Sequence, residues 1–147
     1  MFKLLLFVFI CLLPDVSVAG AALQVFVSIP PQQFLVERIG QERVEVQAML
    51  KPGDSPETFD LTLKQITKLN SAQLYFRIGM PFEHSWIDSI ENNNTKISVI
   101  DCCAGILGER SKVLDNHVWT SVRNAVSLST LIKQELIKID PDHAPHY

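Results

Sequence analysis

Two side chains of this sequence have types suited to gripping a cation, and the chain pattern brings them toward one place. Glu57, with Asp54 beside it, sits in a loop punctuated by Pro52-Gly53 and Pro56. His117 sits in a second loop sixty residues further on. A carboxylate and an imidazole that converge can form half of a divalent transition-metal site, because both offer an electron pair at neutral pH. Taken singly, an exposed loop glutamate is usually just solvated, and a histidine beside a tryptophan is usually structural. Cys102 and Cys103 are adjacent. A bridge between neighbours is strained, so they read as small buried side chains rather than as a disulfide or thiolate site. His84 is a substitute ligand only if its helix faces the same cleft. His143 and His146 have the i, i+3 spacing of ligands, although a frayed pair is the simpler reading.

The elements that must position these residues alternate between strand and helix. Strands are expected over Gln24–Ile29, Val44–Leu50, Gln73–Gly79 and Lys96–Asp101. Between them lie a helix over Gln32–Ile39, with Phe34, Leu35 and Ile39 inward and Gly40 as its stop; a helix over Thr62–Ala72 with the stripe Leu63, Ile66, Leu69; and a short helix marked by Phe82, Trp86 and Ile90. Cys102 to Trp119 reads as loop. Ser121 then starts a last helix with Ala125, Leu128, Ile132, Leu136 and Ile139 buried. Asp140-Pro141 reads as the cap and first residue of yet another helix. Four strands alternating with helices predict an α/β, Rossmann-like lobe: a four-stranded parallel sheet covered on both faces. Ligands of such sheets bind outside the carboxyl ends of the strands, where the loops after strands two and four hold Glu57 and His117.

Composition narrows the function. The 147 residues are 47% hydrophobic and 20% charged, with a net charge of −3, enough for one globular unit. No basic stripe is available to neutralise phosphates, so nucleic acid is not an expected partner. No G-x-G-x-x-G follows the first strand, and neither a phosphate-binding loop nor a G-x-S-x-G elbow occurs. No enzyme is expected. Met1-Phe2-Lys3, the apolar run Leu4 to Leu13, and the small residues from Ser17 to Ala22 have the order of a secretory signal peptide over residues 1–21. That run is too short to span a bilayer, which takes about 20 residues.

Three segments resemble the periplasmic solute-binding proteins of zinc and manganese ABC importers, the high-affinity zinc uptake family. Lys51-Pro52-Gly53-Asp54-Ser55-Pro56-Glu57-Thr58-Phe59-Asp60 is similar to the family's P-G-x-x-P-H-x-Y-E loop. Asn70 to Gly79, followed by Pro81-Phe82-Glu83, is similar to its A-D-L strand and the aromatic-and-Glu start after it. Asp115-Asn116-His117-Val118-Trp119 with Arg123-Asn124-Ala125 resembles D-P-H-x-W-L-D-P-x-N-A. The resemblance implies that His117 is a metal ligand, that Trp119 is a core tryptophan, and that Glu57 stands where the family has its first metal-binding histidine. A glutamate there makes the site harder, so that manganese is an alternative to zinc as the transported ion. Asp54 would support the site from behind. Asn116 and Val122 replace family prolines. The resemblance further implies residues 22–139 as the N-terminal lobe, residues 140–147 as the start of a truncated inter-lobe helix, and a missing C-terminal lobe. It implies a monomer in the periplasm that passes its ion to the membrane permease of an ABC importer. The alternative on the same fold is a cell-envelope adhesion module.

Overall fold

The computed structural model describes residues 21–55, 58–107 and 117–147. In chain order the elements are β1 (Leu23–Val27), α1 (Pro30–Gly40), β2 (Val44–Ala48), α2 (Leu63–Leu69), β3 (Leu74–Arg77), α3 (Ile87–Asn93), β4 (Ser98–Asp101), α4 (Cys102–Leu107) and α5 (Val122–Ile139). Single 3-10 turns cover Gln41–Arg43, Pro81–Ser85, Val118–Thr120 and Pro141–His143. The strands form one parallel sheet in the order β2-β1-β3-β4, with Val25 opposite both Val46 and Leu74, and Leu74 opposite Ser98. The expected α/β architecture is therefore present.

The period of two along the strands divides the core in two. Val25, Val27, Leu74 and Phe76 face α1 and α5, whose Val36, Leu128, Ile132 and Leu136 are wholly buried. Phe26 and Tyr75 face the other way, onto Leu69, Phe82, Ile87 and Ile90. Each fully buried aliphatic side chain of this kind contributes about 1.5–3 kcal/mol. The central strands β1 and β3 are apolar except for Gln24 and Arg77 at their ends, whereas the edge strand β2 alternates with Glu45 and Gln47.

Several local expectations are corrected. Phe34 is 59% exposed under the Arg38 guanidinium; Leu35 and Ile39 pack partly buried on the core as expected, and α1 buries Gln32, Val36 and Gly40 fully. In α2 only Leu69 of the expected stripe is buried: Leu63 is 84% exposed and Ile66 also faces solvent, while Gln65 is buried in their place. Thr62 and Gln65 cap one another, and the Gln65 amide donates to the Met49 carbonyl at 2.9 Å, which fixes the helix rotation. Leu63, about 200° round from Gln65, must then point outward. Ile139 is also half-exposed on α5. Gly40 keeps right-handed angles, and Gln41 takes the positive φ of 45°. Gly40 is required for room, because a Cβ there would collide with the Val44 side chain.

The helix expected from Phe82 to Ile90 is broken at Trp86 into a 3-10 turn and α3. The segment expected to be loop from Cys102 begins as helix α4, since the Asp101 carboxylate accepts the Ala104 N–H at 2.9 Å. After Asp140 the chain makes one 3-10 turn, Pro141–His143, followed by further turn. His143 and His146 are not frayed: His143 Nδ1 lies 2.6 Å from Asp140, and His146 Nε2 lies 3.2 Å from the Gly40 carbonyl.

Candidate metal site at the carboxyl edge of the sheet

The loop after β2 starts as a continuation of the ladder. Met49 and Leu50 donate to the carbonyls of Val27 and Ser28 at 2.8 and 3.1 Å. Lys51-Pro52-Gly53-Asp54 then turns back, with the Asp54 N–H donating to the Lys51 carbonyl at 3.0 Å and Gly53 at φ 96°. Proline second and a positive-φ glycine third are what such a turn requires. The Asp54 side chain accepts the Lys51 N–H at 2.7 Å, so it braces the turn while remaining exposed. Glu57 lies outside the described residues. The described residues that flank it, Ser55 before Pro56 and Thr58 after it, border an open depression of about 310 Å³ lined also by Met49 and Gln65. Phe59 then packs edge-on against Phe82, with ring centroids 5.2 Å apart.

His117 is exposed and heads the turn Val118–Thr120. Its carbonyl accepts the Thr120 N–H and hydroxyl at 3.2 and 2.7 Å, and its ring lies 4.9 Å from that of Trp119. Val118 is buried in the same apolar cluster as Met49, Leu50 and Phe82, and both Phe59 and Trp119 pack on that cluster. The structure thus seats the flanks of both sequence-predicted ligands on one face of one core. It does not bring His143 and His146 there. His84 is exposed on the Pro81–Ser85 turn. His143 and His146 lie beside Arg43 and Gly40, at the amino end of β2. Cys102 and Cys103 are both buried. Burial raises both, Cys103 to about 11, so neither is a ready thiolate. Among the described residues no group of three or more His, Cys, Asp or Glu could hold a metal ion.

Sequence reasoning missed the polar centre beneath these loops. Between β1 and β3, where the strand order reverses, the wholly buried Glu83 carboxylate accepts the N–H groups of Ile78, Gly79 and Met80 at 3.0, 2.8 and 3.1 Å. The Ser28 hydroxyl donates to it, and the Tyr75 hydroxyl lies 3.2 Å away. Burial, and then the charge of Glu83, push the Tyr75 phenol well above its ordinary range. Gln32 closes the neighbouring strand ends: its Oε1 accepts the Ser28 N–H at 3.1 Å, and its amide donates to the Phe76 carbonyl at 3.2 Å. The crevice at which open parallel sheets take ligands is therefore filled from within by a glutamate. A ligand has to be met by the loops above it.

A family model described as zinc-uptake complex component A, periplasmic (ZnuA), matches residues 25–147. The chain belongs to the ZnuA family. A putative metal-binding protein of Chlamydia muridarum is 34% identical over 132 residues, covering 84% of this chain and 46% of that protein. The manganese-binding lipoprotein MntA of Halalkalibacterium halodurans is 24% identical, over 87% of this chain and 43% of its own length. A zinc-bound ZnuA deletion mutant superposes with a TM-score of 0.76 at 33% identity, covering 86% of this chain and 50% of that one. The periplasmic zinc-binding protein TroA of Treponema pallidum, at 19% identity and a TM-score of 0.74, shares the fold. The chain spans about half the length of the ZnuA-family relatives it matches.

Proposed function

We propose that this chain forms the N-terminal lobe of an extracytoplasmic divalent-metal-binding protein, with Glu57 and His117 as its metal ligands and an ABC importer as recipient. The observation that carries the reading is His117 itself. It is exposed at the carboxyl edge of a ZnuA-family sheet, on a turn whose next residue, Val118, is anchored in the core. Residues 1–21 act as the export signal. Zinc is the favoured ion, and manganese the alternative because an oxygen donor at position 57 suits a harder cation. Two protein ligands leave most of the coordination sphere to water, so a single lobe binds weakly and as a monomer. No observation favours the alternative of an adhesion module.

Calorimetric titration with zinc tests this. The parent chain is expected to bind with weak, measurable affinity. His117→Ala should abolish most of the heat, and Glu57→Ala should lower the affinity without changing the thermal midpoint. Equal zinc affinity for parent and His117→Ala would end the assignment.

A further inference from the structure

Arg77 closes β3 and stands between two carboxylates. Its terminal amino group lies 3.2 Å from Asp101, the last residue of β4, and its Nε lies 3.7 Å from the buried Glu83. That Nε–H is itself buried and finds no hydrogen-bond acceptor among the described residues. Arg77 is about one-fifth exposed and Asp101 about one-third, so the bridge spans from the interior to the rim.

Each carboxylate governs one wall of the floor beneath the candidate metal site. Glu83 gathers the backbone of Ile78, Gly79 and Met80, and the adjacent Phe82 carries Phe59 of the loop that contains Glu57. Asp101 caps α4, whose Cys103 thiol donates to the Ile78 carbonyl at 3.0 Å. Ile78, Phe82, Cys103 and Val118 share one apolar cluster, so the turn that presents His117 is anchored in a core to which both walls contribute. An arginine suits this place because its planar fork can address two oxygens in different directions.

We propose that Arg77 is a positioning residue for the metal site: by bridging Glu83 and Asp101 it holds the β3 turn against α4, and so fixes the seat of His117. The inference rests on the reading of His117 as a metal ligand. Without the guanidinium the β3–β4 ladder still joins the strands, but the ion pairs that link the Glu83-bound turn to the Asp101 cap of α4 are lost, and the imidazole loses its fixed aim. Groups that orient a ligand from behind typically matter by about 10–100-fold in metal affinity.

The experiment uses the full chain and zinc alone, with the His117 ring resonances followed by NMR and thermal unfolding recorded for every variant. Arg77→Gln is expected to remain folded, to weaken zinc about tenfold, and to shrink the zinc-induced shift of the His117 ring. Arg77→Lys should restore part of both, since an ammonium can meet one carboxylate at a time. Asp101→Asn should resemble Arg77→Gln, and the double variant should bind no more weakly than either single one. If Arg77→Gln proves unfolded at the assay temperature, Arg77→Lys and Asp101→Asn carry the test. His117 signals that answer zinc identically in parent and variants would overturn the positioning role while leaving the metal site intact. Signals that never answer zinc in the parent would overturn the metal reading and this inference together.

Discussion

At the scale of single residues, the most consequential group is Glu83, which takes no part in the proposed ligation. Five donors converge on its carboxylate: Ser28, Tyr75 and three successive backbone N–H groups. Glu83→Ala would leave several of them buried without an acceptor, each at a cost of about 1–3 kcal/mol. We expect Glu83→Ala to lose at least about 3 kcal/mol by urea denaturation, and Glu83→Gln to lose less, because the amide oxygen can still accept. A loss below about 1 kcal/mol for the alanine variant would show that the network is not as drawn. Glu83 was visible in the sequence only as part of a family-like segment. Its partner Ser28 is 55 residues away, and no local pattern announces such a pairing.

At the scale of elements, α2 is the sharpest case. Its Leu63, Ile66, Leu69 spacing advertises an inward stripe, yet a capped glutamine sets the rotation and turns Leu63 to solvent. Leu69→Ala should therefore cost about 2–5 kcal/mol, while Leu63→Ala should fall within about 0.5 kcal/mol of the parent. Equal losses in denaturant titration would restore the sequence-based orientation. The last helix was far more legible. Leu128, Ile132 and Leu136 repeat every fourth residue, and all three are wholly buried as their spacing requires. Helix α4 was passed over because Cys102-Cys103-Ala104-Gly105 offers no amphipathic period. The available signal was the capping aspartate in front of it.

At the scale of the whole molecule, the chain's end closes against its body. Tyr147 donates to the Asp140 carboxylate at 2.7 Å, and Arg43 meets the same carboxylate at 3.1 Å. Removal from water pushes the Asp140 carboxyl up, but hydrogen bonds from His143, Tyr147 and Arg43 outweigh that and hold it at about 2, against an ordinary 3.8. A lowered folded value means that its contribution is complete above about pH 4 and is lost as pH falls toward 2. Asp140→Asn should therefore lower the thermal midpoint at pH 7, with the gap to the parent narrowing as pH falls from 4 to 2. A gap that stays constant over that range would refute the linkage.

The alternation of strand and helix, the largely apolar central strands and the parallel sheet they build were determined by sequence alone, because they follow from periodicity and from the crossover connections of a parallel sheet. Tertiary structure decided which side of α1 and α2 is buried, that a glutamate fills the crevice between β1 and β3, and that Arg77 spans to Asp101. Those outcomes depend on polar groups finding partners far away along the chain. A buried hydrogen bond is specified by where two segments meet, and that meeting leaves no mark in the local order of residues.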